Sequence, residues 1–138
     1  NFPEITTIHE DIEFEVAILQ FEAQEEIELH NHPDMTGVIY CLKGEVKIEG
    51  FNLLEETSSN GKLLIQQVED VTVTTGQIAT LTPERSNIHY LKAIEFTELL
   101  DVFTPPYSAG DRMSRYRWYQ RAEESVANRP DVYEAWEL

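Results

Sequence analysis

The sequence predicts an all-β sandwich or barrel that encloses a cavity. Runs rich in β-branched, aromatic and aliphatic residues recur about every 8–12 residues, each bounded by Gly, Pro, Asn or Ser. No segment sustains the 3.6-residue apolar period of a long amphipathic helix. With 138 residues there is room for one core but hardly for two, so residues 1–138 are expected to form a single domain.

The elements follow in order. From Ile12 to Leu19 the chain alternates, which places Ile12, Phe14, Val16 and Ile18 on an inner face and Glu13 and Glu15 on an outer one. Glu25 to Leu29 is a second strand. Val38 to Leu42 is a nearly continuous apolar run, the pattern of a strand covered on both sides. Gly44 turns the chain into Glu45 to Glu49, with Val46 and Ile48 facing in, and Gly50 separates that strand from Phe51 to Leu54. Ser58-Ser59-Asn60-Gly61 is a turn signature. Leu63 to Val68, Val71 to Thr74 and, after Gly76, Gln77 to Leu81 read as strands, as do Ile88 to Ile94 beyond the polar loop Pro83 to Asn87. Thr97 to Phe103 is stopped by Pro105-Pro106, and Arg121 to Asn128 reads as a short helix ended by Pro130.

Composition narrows the partners. The net charge of −16 argues against nucleic acid and anionic membranes, both of which need a cationic surface. No apolar run is long enough to span a bilayer as a helix. No basic-then-apolar stretch marks a secretory signal. The single cysteine, Cys41, forbids an internal disulfide and fits a reducing compartment, so a cytoplasmic location is expected. Cys41 lies in an apolar strand and is read as core.

Three of the four histidines carry the chemistry. His30 and His32 are two residues apart after a strand-like approach, a spacing that points both side chains to one face. His89 shares a strand face with Leu91 and Ala93 and should point inward. Pro33 stiffens the loop after the pair, and Gly44 stands twelve residues beyond His32, where a hairpin needs it. Imidazole suits first-row transition metals, and a face of three leaves open positions for chemistry. Such a face could equally hold Zn(II). Glu28 has the parity of His30 and is the one local carboxylate candidate, more simply read as solvated. His9 is read as surface, and Trp118, Tyr119 and Trp136 as packing.

The ordered set resembles the cupin superfamily: H-x-H and a later glycine, then a glycine, a proline and a third histidine, here Gly76, Pro83 and His89. The glutamate common in the first motif is missing, and Gly37 stands near its place. A cupin branch without it is the thiol dioxygenase family of cysteamine dioxygenase and the plant cysteine oxidases, with the pattern H-D-H-P-G-M-T, a glycine twelve residues on, N-I-H, and D-x-x-x-P-P-Y. This chain is similar over about residues 27–119: His30-Asn31-His32-Pro33-Asp34-Met35-Thr36, Gly44, Asn87-Ile88-His89, and Asp101-Val102-Phe103-Thr104-Pro105-Pro106-Tyr107. Arg112 to Tyr116 also looks like that family's last strand. Asp34 in place of glycine and Lys43 in place of tyrosine depart from the pattern at positions that could alter pocket entry.

The resemblance implies a cupin barrel (a double-stranded β-helix or jelly roll) with a short C-terminal helical segment. It implies Fe(II) held by His30, His32 and His89, and addition of both atoms of O2 to a thiol to give a sulfinic acid. Asp101, whose face it shares with Leu99 and Phe103, and Tyr107 are the expected further site residues. The substrate would be a small aminothiol such as cysteamine or the N-terminal cysteine of a protein, the latter making the enzyme an oxygen sensor acting through N-degron stability. A monomer is expected. The alternatives are a zinc or nickel cupin isomerase or hydrolase, and a cupin that binds a ligand without turning it over.

Overall fold

The computed structural model describes residues 2–57 and 61–138; of the turn expected at Ser58-Ser59-Asn60-Gly61, all but Gly61 lies outside them. Among the described residues eleven strands and one helical turn follow in order: β1 (Glu4–Glu10), β2 (Glu15–Phe21), β3 (Glu26–His30), β4 (Thr36–Lys43), β5 (Glu45–Thr57), β6 (Lys62–Thr74), β7 (Ile78–Leu81), β8 (Ile88–Ala93), β9 (Thr97–Thr104), α1 (Arg112–Arg115), β10 (Tyr119–Arg121) and β11 (Val132–Glu137). They form a five-stranded sheet, β1-β2-β9-β4-β7, and a six-stranded sheet, β10-β11-β6-β5-β8-β3. All pairings are antiparallel. Jelly-roll connectivity is visible in the pairing of β4 with β9 and of β5 with β8, strands far apart in sequence.

The main core lies between the sheets. Ala17, Leu19 and Phe21 from β2, Ile39 and Cys41 from β4, and Leu99 from β9 meet Val46 and Ile48 from β5 and Leu91 and Ala93 from β8. A second cluster joins Leu29, Phe51 and Ile88 to Leu63, Ile65 and Ala135. Gly44 closes the β4–β5 hairpin at φ +101, where a Cβ would fall 2.3 Å from the Phe96 carbonyl oxygen. That position therefore requires glycine on conformation and on space.

The structure corrects several expectations. On β2 the inner face is the opposite one: Ala17, Leu19 and Phe21 are buried, whereas Ile12 is 89% exposed and precedes the strand. β4 is covered on one side only, since Val38, Tyr40 and Leu42 alternate outward with buried Ile39 and Cys41. Gly50 does not end a strand; β5 runs through it with a bulge at Gly50/Phe51, and β6 is likewise continuous. The helical turn lies at Arg112–Arg115, not at Arg121 to Asn128, and no strand covers 112–116. Beyond Arg121 the backbone bonds to β11 and to itself in turns, with Ala122 N–H donating to the Glu134 carbonyl (2.8 Å) and Val126 N–H to that of Val132 (2.7 Å). Of residues 121–128 only Ala122, Val126 and Ala127 are apolar, too narrow a stripe to dock a helix. Among the described residues no helix is long and apolar enough to cross a membrane.

Candidate metal centre

The three histidines converge inside the barrel. β3 and β8 pair Ile27 with Leu91 but His30 with His89, so a bulge intervenes between Ile27 and His30. The extra residue breaks the strand's parity: Glu28 turns to the surface, and His30 turns inward with Ile27. Glu28 is thereby removed as a ligand candidate. His32 lies just beyond β3 in a loop held by Asn87, whose Oδ1 accepts the His32 N–H (3.1 Å) and whose Nδ2 donates to the His32 carbonyl (2.7 Å). Asn31, between the two histidines, binds the chain at Arg115 and Arg117, accepting the Arg117 N–H at 2.7 Å and donating to the Arg115 carbonyl at 3.1 Å.

His30, His32 and His89 each present one ring nitrogen within 4.8 Å of the others. His30 Nδ1 meets the Glu28 carbonyl and His32 Nδ1 the Asn87 carbonyl, each at 2.6 Å. A carbonyl can only accept, so Nδ1 carries the proton in both rings and Nε2 is left as a lone pair. His30 Nε2 faces His89 Nε2 at 3.2 Å, and buried His32 Nε2 has no hydrogen-bond partner. Burial pushes His30 down to about 4. Burial and the neighbouring histidines hold His32 and His89 well below the ordinary histidine range. Three buried imidazoles converge, and the Nε2 lone pairs of His30 and His32, the latter without a partner, make a donor set that fits a transition-metal ion.

The site opens on a cavity of about 190 Å³ walled by Leu19, Ile27, Leu91, Phe103, Tyr107 and Tyr116 and reached by Glu15 and Asp101. Phe103 stacks on His32 at 5.3 Å with the rings 6° apart. Trp118 lies 5.0 Å and Tyr116 5.8 Å from His30 between ring centres. Asp101 is on the inner face of β9, as its parity requires, and its Oδ1 is buried without a partner. Burial, with the charge of Glu15 beside it, pushes Asp101 up to about 7. The Tyr107 ring is 6.2 Å from His32, its N–H donates to the Glu15 carboxylate at 2.7 Å, and burial drives its phenol well above the ordinary tyrosine range. Four of the five expected site residues, His32, His89, Asp101 and Tyr107, thus line one cavity, and His30 stands behind it against His32 and His89.

Sequence reasoning missed Glu15, Tyr116 and the approach of Trp118. It had read Glu15 as solvated and Trp118 as packing, which Trp118 also does. The two departures from the motif lie outside the cavity wall. Asp34 sits at φ +55, a left-handed conformation that explains a glycine elsewhere and that aspartate tolerates. Its carboxylate pairs with Arg115 at 2.9 Å. Lys43 lies over the Phe96 ring. Cys41 is buried in the core, and His9 is exposed and bonded to Asp11.

A family model described as PCO_ADO matches residues 3–135. The chain belongs to the PCO_ADO family. A human protein named 2-aminoethanethiol dioxygenase is 27% identical over 91% of this chain and 55% of its own length. A probable 2-aminoethanethiol dioxygenase of Dictyostelium discoideum is 27% identical over 72% of this chain and 48% of its own. The chain therefore spans about half the length of these curated relatives. Among solved structures, a Klebsiella pneumoniae protein with a double-stranded β-helix domain superposes with a TM-score of 0.60 at 19% identity, covering 80% of this chain and 77% of that one. An RmlC-like cupin from Desulfovibrio desulfuricans gives 0.58 at 19% identity, covering 76% and 84%. These likenesses establish the cupin fold. In this PCO_ADO member the buried group of His30, His32 and His89 could hold a metal ion.

Proposed function

We propose that this chain is the catalytic domain of a non-haem iron thiol dioxygenase, which adds O2 to the thiol of cysteamine or of an N-terminal cysteine to give a sulfinic acid. The observation that carries the reading is the buried face of three neutral imidazoles opening on a small cavity, in a chain of the PCO_ADO family. Fe(II), when bound by His30, His32 and His89, supplies the redox centre and polarises a substrate thiol toward thiolate. The chain's own residues do the rest. The Glu28 and Asn87 carbonyls fix the tautomers of His30 and His32. Phe103, Tyr107 and Tyr116 wall the cavity against water. Asp101 Oδ1, unpartnered in that wall, offers an acceptor to a polar substrate group.

A single buried cysteine suits a reducing cytoplasm, and a monomer is the state this reading assumes. Action on N-terminal cysteine would place the protein in oxygen-dependent N-degron control. The test is metal analysis of the purified protein, followed by oxygen uptake and product mass with cysteamine and with a Cys-initiated peptide. Copurifying iron and a gain of two oxygen atoms per thiol are expected. No uptake by iron-loaded protein on either substrate overturns the reading, and zinc or nickel as the activating metal would favour an isomerase or hydrolase.

A further inference from the structure

Glu15 begins the inner face of β2, ahead of Ala17, Leu19 and Phe21. It pairs with Phe103 across the β2–β9 ladder, while Asp101 pairs with Ala17. The two carboxyl side chains are thus diagonal neighbours on one face, a spacing that long side chains reach across. Both line the cavity with His32 and His89. The Tyr107 N–H holds one Glu15 oxygen at 2.7 Å. Asp101 is 8% exposed, and its Oδ1 has no partner. The cavity-lining residues include no Lys or Arg. Two acidic groups in a largely apolar chamber, one of them unpartnered and with no Lys or Arg beside them among the described residues, leave room for a cation that the protein does not supply.

We propose that Glu15 is a specificity-determining residue that, together with Asp101, receives the ammonium group of an aminothiol whose sulfur lies toward the histidines. The inference rests on the thiol dioxygenase reading and deepens it. An ammonium offers three N–H donors. The free Glu15 oxygen and Asp101 Oδ1 are acceptors for two of them, and charge assistance makes such bonds strong in a chamber shielded from water. The bond from Tyr107 orients Glu15 and ties the wall that carries Tyr107 to the same carboxylate.

The experiment compares cysteamine with 2-mercaptoethanol, which has the thiol but no amine, in the wild type and in Glu15→Gln. Glutamine keeps an oxygen for the Tyr107 N–H and loses the charge. The ratio of kcat/KM for cysteamine to that for 2-mercaptoethanol should fall about 10- to 100-fold in E15Q, mainly through KM for cysteamine. A merely structural role would lower both thiols alike and leave the ratio unmoved; that result, in an active wild type, overturns the inference. A second readout needs no turnover: saturation-transfer NMR of S-methylcysteamine on metal-free protein should show contact in the wild type and lose it in E15Q. If the iron-loaded wild type consumes oxygen with neither thiol, the dioxygenase reading fails. The NMR comparison then still decides whether Glu15 binds the ammonium, and equal signals from both proteins would refute it.

Discussion

The ring of Phe103 fills the space over Gly37 that a side chain there would need: a Cβ built on Gly37 falls 2.3 Å from Phe103 Cε1. The two residues face each other across the β4–β9 ladder. The same ring stacks on His32 and packs with Met35, Leu81 and Tyr107. The missing glutamate of the first motif thus has a physical counterpart. Where a carboxylate ligand could have stood, the chain places an aromatic ring that holds a histidine instead.

That relationship predicts strong coupling. Gly37→Ala should destabilise the metal-free protein by about 1–3 kcal/mol through overpacking. Phe103→Ala should cost about 3–5 kcal/mol. With Phe103 already removed, Gly37→Ala should cost under about 0.5 kcal/mol. Urea denaturation of the two single variants and the double variant measures this, and additive costs would refute the packing argument.

Asn87 is predicted to act on the metal from outside its coordination shell. Its side chain clamps the His32 backbone in both directions and also donates to the Thr82 carbonyl at 3.1 Å. Asn87→Ala should weaken metal binding about 10- to 100-fold with the three ligands intact. Competition against a chelator of known affinity reads the loss, and an unchanged affinity would show that the loop is held by other contacts.

Asp101 makes stability depend on pH in a defined direction. Its pKa rises from 3.8 to about 7 in the fold. A raised carboxyl pKa means that the native state binds the proton more tightly than the unfolded chain does. The stabilisation is complete below about pH 4 and is lost as pH rises through about 7. Asp101→Asn has no such titration. Metal-free wild type should lose stability relative to D101N between pH 4 and 8, by on the order of 1–4 kcal/mol. Equal profiles in chemical denaturation at both ends would show that Asp101 titrates normally.

The fold and the metal ligands were legible because strands, turns and an ordered histidine set leave local signals. His30, His32, His89, Asp101 and Tyr107 were reached through the order of the motifs, and parity alone would have turned His30 outward with Glu28. Glu15 did not yield to the same logic. In β2 the alternation of Val16 and Ile18 with Glu13 and Glu15 reads as apolar in and charged out. The outer face of that sheet is itself apolar, with Val38, Tyr40 and Leu42 on β4 partly exposed, so the contrast that parity relies on is absent. The acid that faces inward does so at the cavity, where a site breaks the pattern of a core. The bulge that turns His30 inward is a second such break, set by pairing with β8 rather than by the composition of β3.

The histidine face predicts acid lability of the metal-free protein and its rescue by metal. Burial lowers His30 from 6.5 to about 4 and moves His32 and His89 in the same direction. With folded pKa values below the unfolded ones, the unfolded chain takes up protons first. The stability present above about pH 6.5 is therefore lost as pH falls toward 4. Many carboxylates titrate nearby, so the comparison is with a variant carrying His30→Asn, His32→Asn and His89→Asn, which keeps the acidic surface and removes the imidazoles. The wild-type-minus-variant difference in unfolding free energy should decline across that window. Saturating Zn(II), which binds the native face and competes with protons for the same Nε2 lone pairs, should move the decline to lower pH in the wild type and do little to the variant. A difference flat from pH 7 to 4 would mean that the three rings are not held neutral by the fold, and zinc stabilisation equal in both proteins would place its binding elsewhere.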